Sequence, residues 1–256
     1  MHVFDSNASV SPGHYQPAHR PLQDIETLAQ SRGFGHLVLV QPSVYGTDNT
    51  VLLDALRVQP GRHRGVVVVD SSISDAELAN MHSLGVRGVR FNLVSLAGHS
   101  GNLATDFVKL APRLHALGWH VQWYARPEDL PVISALHVTT PVPAVLDHLA
   151  GLHANLAIDH AAWQALEKLA GQGARVKLSG WYRLQADAPY TVLDDIITRV
   201  ARVFAGRMVW GSDWPHTSFA ADALPTYAST LEPVIRVLAG AQKADALHQA
   251  PGRLYA

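Results

Sequence analysis

The sequence predicts an α/β chain folded as one (β/α)8 barrel. Short apolar, β-branched runs alternate eight times with longer stretches of helical period. The runs are continuous, as strands buried on both faces of a parallel sheet should be. The length of 256 residues suits one such TIM barrel. No Pro/Gly/Ser linker or charge block divides the chain, so 1–256 reads as a single domain. A doubly wound open sheet would usually carry a Gly-rich phosphate loop after its first strand. This chain has none there.

The elements follow in order. His2–Asp5 reads as a first, shortened strand, followed by a Pro/His/Gly-rich loop from Ser9 to Pro21 and a helix over Leu22–Ser31. His36–Gln41 (HLVLVQ) is the second strand, with a helix over Asn49–Leu56. Gly65–Asp70 (GVVVVD) is the third; Ser74 then caps a helix, with Glu77 completing a capping box. Val86–Phe91 is the fourth, followed by a helix over Leu103–Leu117 that Gly118 stops. Trp119–Tyr124, Pro143–Asp147, Arg175–Ser179 and Met208–Gly211 are the remaining strands. Helices over Pro127–Leu136, Ala161–Ala170, Leu193–Phe204 and Pro225–Leu238 follow them in turn.

Composition narrows the function. The formal net charge is -1, so no broad field argues for nucleic acid or an anionic membrane. With no cysteine there is no disulfide, thiolate nucleophile or Cys-bound zinc. No signal-like segment opens the chain and no apolar run could span a bilayer. A cytoplasmic protein acting on a small molecule is expected, and a homo-oligomer is compatible with the sequence.

In βα barrels the chemistry sits at the C-terminal ends of the strands. Reading those ends gives His2; Gln41, Ser43 and Tyr45; Arg90 and Asn92; Tyr124; Asp147 and His148; Lys177, Ser179, Tyr182 and Arg183; and Asp213, Trp214 and His216. Two segments stand out: Ala144–His148 (AVLDH) and Met208–His216 (MVWGSDWPH). A strand-end carboxylate such as Asp213 can take a proton from water, and a histidine such as His148 can polarise a carbonyl or hold a metal. Each alone could as well be a turn cap or a buried, satisfied imidazole; together they point to catalysis. Arg87 falls on the opposite face of its strand from Arg90 by the two-residue period. Ser43 and Ser179 lack a nucleophile-elbow pattern. Trp181 and Trp214 read as rim or core aromatics. His14, His19, His99, His115, His120 and His137 share no strand-end placement and read as background.

With these residues in view, the chain resembles the amidohydrolase superfamily, in its amidohydrolase-2 branch. It is most similar there to the 2-pyrone-4,6-dicarboxylate lactonase-like group, which includes sugar-lactone hydrolases. The matching segments run in order: HVFD (2–5), VLVQPSVYGTDNTVLLDAL (38–56), RGVVVVD (64–70), GVRGVRFN (85–92), Asp147-His148, KLSG (177–180) with Tyr182-Arg183, and GSDWPH (211–216). The resemblance implies a barrel hydrolase with Asp213 as general base and with His148 and His2 polarising the substrate carbonyl. It implies Tyr45, Arg90, Tyr124 and Arg183 as substrate-binding residues, and Ser43 joins them from its strand-end position. No cofactor is required by this reading; the alternative is one divalent metal such as zinc on His2, His148 and Asp213.

Two departures refine the expectation. The family's first strand carries His-x-His, whereas this chain reads Met1-His2-Val3-Phe4. Either a residue upstream of Met1 is missing or the first ligand is absent, which argues against tight metal binding. The dicarboxylate lactonases carry further arginines where this chain reads LVSLAG (93–98) and LAGL (149–152). One carboxylate, or a polyhydroxy lactone, is expected rather than two arginine-clamped carboxylates. The rivals are a metal-dependent decarboxylase of the same superfamily and an inactive relative that keeps the fold.

Overall fold

The computed structural model describes residues 1–12, 14–95, 101–217, 219 and 222–256. His99 and the Leu96–Gly98 part of the arginine-free segment lie outside the described residues. The chain forms two compact units, Met1–Gln122 with Trp214–Leu224, and Trp123–Asp213 with Pro225–Ala256.

In the first unit, β1 (Val38–Val40), β2 (Arg64–Val67) and β3 (Val86–Asn92) lie side by side in chain order. β1 and β2 pair in parallel with Val38 opposite Arg64, and β2 and β3 pair in parallel with a register shift between Gly65 and Val66. β4 (His120–Tyr124) begins in this unit and ends in the second. There β5 (Ala144–Leu146), β6 (Arg175–Leu178) and β7 (Met208–Trp210) continue the chain-order, parallel arrangement. The strands are parallel because a helix returns the chain after nearly every one: α1 (Leu22–Gln30), α2 (Thr50–Val58), α3 (Asp75–Ser83), α4 (Leu103–Ala116), α5 (Leu130–Leu136), α6 (Ala162–Gly171) and α7 (Asp194–Val203). The capping box on α3 forms as expected: Glu77 N–H donates to Ser74 Oγ at 3.2 Å, and Ser74 N–H donates to Glu77 Oε2 at 2.9 Å.

Two expectations are corrected. There are seven named strands among the described residues, not eight. The first segment forms only an isolated antiparallel bridge between Phe4 and Arg20. Its neighbours still hold it: Val40 N–H donates to Met1 O at 2.8 Å and His2 N–H donates to Trp214 O at 3.0 Å. The long helix expected over Pro225–Leu238 shrinks to α8 (Glu232–Val237). Turns take the residues before it, where Ser229 and Thr230 hydroxyls donate to Thr226 O and Tyr227 O. Pro233, which lacks an N–H, fits only a helix's first turn and so sets its start. Helical turns over Gly240–Leu254 went unforeseen. Among the described residues no helix is long and apolar enough to cross a membrane.

Candidate active site

β5 is three apolar residues, all buried. Its pairing ends where Asp147 N–H donates to Trp123 O at 2.8 Å. The next three residues, His148, Leu149 and Ala150, all turn left-handed, with φ of 47°, 52° and 57°. Non-glycine residues rarely adopt such values, and runs of them cluster where function over-determines the backbone. The turn leaves the His148 residue only 6% exposed. Its ring lies against Gly180, where a Cβ would come 2.3 Å from His148 Nδ1. Gly180 itself has φ +61°, so it answers to both backbone and space.

His148 Nδ1 lies 3.0 Å from Ser179 Oγ, and its ring stands edge-on to Tyr124 with centroids 4.8 Å apart. Burial drives the His148 pKa down to about 4, against the pull of Asp213 and Asp147 and with help from Arg183 and Lys177. The ring is therefore neutral at ordinary pH. Behind it, Lys177 Nζ and Asp147 Oδ1 form a buried ion pair at 2.9 Å.

Asp213 follows β7 and is also left-handed, with φ 56°, and 8% exposed. Asp tolerates this conformation better than most residues. Its Oδ2 accepts from Tyr182 O–H at 2.5 Å and from Arg183 Nε–H at 2.9 Å. Oδ1 stands 3.9 Å from His148 Nε2. That is too long for a hydrogen bond. The Arg183 guanidinium sits over the rings of Tyr182, at 5.0 Å, and Tyr124, at 5.8 Å. Burial opposes its charge, but Asp213 and Tyr182 outweigh that and raise its pKa. A neutral imidazole facing an oriented carboxylate can polarise a carbonyl while the carboxylate takes a proton.

The first unit places the other expected residues. His2 Nδ1–H donates to Val40 O at 2.8 Å, since a carbonyl can only accept. Arg90, 8% exposed, donates from Nη1 to Gln41 O at 3.1 Å. Ser43 Oγ accepts from Asn92 Nδ2 at 2.7 Å. The Tyr45 hydroxyl donates to Asp5 O and accepts from Asp5 N–H, at 3.0 and 3.1 Å, so it ties down the opening segment. Arg87, half-buried, donates to His82 O and Val86 O.

Of the background histidines, His137 is held by structure alone. It accepts from Trp123 Nε1–H at 2.9 Å and donates to Val142 O at 3.1 Å. His120 is buried within β4 against Gly88, where a Cβ would meet its ring at 2.6 Å. Trp181 is a core residue, donating from Nε1 to Thr230 O at 2.8 Å. Ser179 and Tyr182 were visible as strand-end residues. Their contacts with His148 and Asp213 depend on left-handed turns that no spacing rule reveals.

The superfamily raises the question of a metal. Among the described residues no group of three or more His, Asp or Glu side chains converges as a metal site. Asp213 already accepts on Oδ2 from a guanidinium and a phenol. A divalent ion usually takes three or more protein donors, with no cation bound to the same carboxylate. The donor set around Asp213 does not fit a resident zinc, and no step below passes through one.

The amidohydrolase family profile matches residues 4–256. The chain is 33% identical over 214 residues to a 2-pyrone-4,6-dicarboxylate hydrolase of Comamonas testosteroni, covering 79% of this chain and 70% of the relative. It is 28% identical over 228 residues to a 4-sulfomuconolactone hydrolase of Rhizobium radiobacter, covering 86% and 75%. A solved structure of a probable 2-pyrone-4,6-dicarboxylic acid hydrolase from Acinetobacter baumannii, with citric acid bound, superposes with a TM-score of 0.87 at 28% identity, over 99% of this chain and 96% of that one. A profile match across almost the whole length, together with these relatives, settles the affiliation: the chain belongs to the amidohydrolase family and is a hydrolase.

Proposed function

We propose that this enzyme opens a small carboxylated or polyhydroxy lactone by adding water to the ring ester. The observation that carries the reading is the Asp213 Oδ1 to His148 Nε2 separation of 3.9 Å, between two buried groups each oriented by a second partner. Water attacks the lactone carbonyl as Asp213 Oδ1 takes its proton. His148, neutral, donates from Nε2–H to the developing oxyanion, with Ser179 donating to Nδ1 to hold that tautomer. The ring C–O bond then breaks and Asp213 returns the proton to the leaving oxygen. The product is a ring-opened hydroxy acid, whose new carboxyl ionises and releases one proton. Oxyanion donors of this kind are worth about 10²–10³-fold, and general base help about 10²–10⁴-fold.

His2 is kept as a second carbonyl-polarising group. Arg90, Arg183, Tyr124, Ser43 and Tyr45 are kept as the substrate-holding set. Tyr45 and Arg183 are the weakest members, because Asp5 and Asp213 respectively engage them. The relatives named for pyrone and muconolactone hydrolysis support the ester chemistry, and the arginine-free segment 149–152 favours a single carboxylate.

The test is a panel of 2-pyrone-4,6-dicarboxylate, muconolactone and aldonolactones, read by acid release in weak buffer. At least one should be turned over by the wild type and not by Asp213→Asn. Near wild-type turnover by Asp213→Asn would refute the mechanism. Silence across the panel would refute the substrate class.

A further inference from the structure

We propose that Asn92 is a positioning residue that fixes the direction of the Ser43 hydroxyl, so that the serine meets substrate as a hydrogen-bond donor. The inference rests on the reading of Ser43 as substrate-holding, and it gives a role to a strand-end residue that the proposed mechanism leaves unused.

The argument lies within the first unit and starts from the chemistry of a primary amide. Asn92 is the last residue of β3 and is 7% exposed. Its Oδ1 accepts from Val94 N–H and from Ser95 N–H, each at 3.0 Å. Two backbone donors on one atom identify that atom as the oxygen, because an amide nitrogen could not accept them. The other atom is Nδ2, which only donates, and it lies 2.7 Å from Ser43 Oγ. The Ser43 hydroxyl accepts there, so its single hydrogen must point elsewhere. Ser43 opens the short turn Ser43–Tyr45 and is half-buried rather than sealed in the core.

The contact is part of a repeated arrangement. Arg90 and Asn92 share a face of β3 by the two-residue period. Arg90 Nη1 donates to Gln41 O at 3.1 Å, and Asn92 Nδ2 donates to Ser43 Oγ one step further along. Successive side chains on that face thus hold alternate residues of the segment after β1. Gln41 is anchored in turn, its Nε2 donating to Asp48 O at 2.7 Å. A hydroxyl directed in this way suits an acceptor oxygen on the substrate.

The experiment reverses that direction at nearly constant shape. In Asn92→Asp the bonds from Val94 N–H and Ser95 N–H persist and favour the ionised carboxylate at about pH 8. The second oxygen now accepts, so the Ser43 hydrogen turns to it and only lone pairs face the substrate. KM on a lactone that the panel identifies is measured for Asn92→Asp, Ser43→Ala and the double variant. Ser43→Ala should raise KM about fivefold, the worth of one neutral hydrogen bond, with kcat within about twofold. Asn92→Asp should raise KM at least about tenfold, and by a factor about fivefold smaller when Ser43→Ala is already present. The added charge and any loosening of the turn act in both backgrounds, so the difference isolates the hydroxyl. Equal factors in the two backgrounds overturn the inference and leave the lactone chemistry standing. Asn92→Ala, which lets the hydroxyl rotate, gives the same comparison if Asn92→Asp does not fold. A second readout needs no substrate: the Asn92 side-chain amide pair in a proton–nitrogen NMR spectrum, identified by its loss in either Asn92 variant, should shift in Ser43→Ala. An unmoved pair overturns the inference whatever the panel shows. A silent panel beside a shifted pair would instead overturn the proposed function, on which the role of Asn92 toward substrate depends.

Discussion

Gly180→Ala should disable the enzyme through His148, which lies 32 residues away in the chain. The added Cβ would sit 2.3 Å from His148 Nδ1, 2.7 Å from Cγ and 3.0 Å from Cε1. Ordinary contact begins near 3.4 Å, so the ring must retreat by about an ångström. A displacement of that size at a reacting group costs about 10²-fold in rate. The left-handed φ of +61° adds about 1 kcal/mol of backbone strain, and crowding adds about 1–3 kcal/mol. Gly211→Ala is the matched control. It is also near the site, but its Cβ would meet Ser179 Cβ at 3.5 Å, an ordinary contact, and its φ is not left-handed. Lactone turnover and a denaturant melt on both variants form the assay. Gly180→Ala should lose about 10²-fold in kcat and a few kcal/mol of stability, while Gly211→Ala should stay within about threefold and 1 kcal/mol. If Gly180→Ala keeps wild-type kcat, His148 is not held where the account needs it.

Ser179→Ala should lower kcat about tenfold with KM little changed, because His148 loses the partner that holds its Nε2–H tautomer; equal kcat in the two proteins would remove Ser179 from the mechanism. Stability should fall on acidification through two buried histidines. Burial lowers His148 and His137 to about 4, well below the ordinary 6.5. The unfolded chain therefore takes up these protons first. The contribution is full above pH 6.5 and drains away between 6.5 and 4, on the order of 3 kcal/mol per ring at most. Urea midpoints from pH 7 to pH 4.5 should decline, and a flat series would contradict the burial assigned to these rings.

Much of the fold could be read from residue pattern alone. The apolar runs located all seven strands within a residue or three, since a strand buried on both faces leaves little room for polar residues. Gly118 and the Ser74–Glu77 pair marked helix ends for reasons that survive in any tertiary context. The failures have local causes. Pro233 moved a helix start, and the opening segment forms only the Phe4–Arg20 bridge. For the candidate site, strand-end reading picked out Asp213, His148 and Arg183, side chains that the structure brings near one another. It could not find their mutual geometry, because that geometry is made by left-handed residues at His148, Leu149, Ala150 and Asp213, where no glycine announces the turn. Tyr45 adds a contact that its position did not suggest: its hydroxyl is held by the Asp5 backbone.

The central claim is that Asp213 and His148 work on one carbonyl as a unit. A double-mutant cycle on a turned-over lactone tests it, using Asp213→Asn, His148→Asn and the double variant. Groups acting as a unit are strongly non-additive, so the double variant should be about as slow as the worse single one. Rate losses that simply multiply would mean that the two side chains serve separate steps, and the account would be wrong.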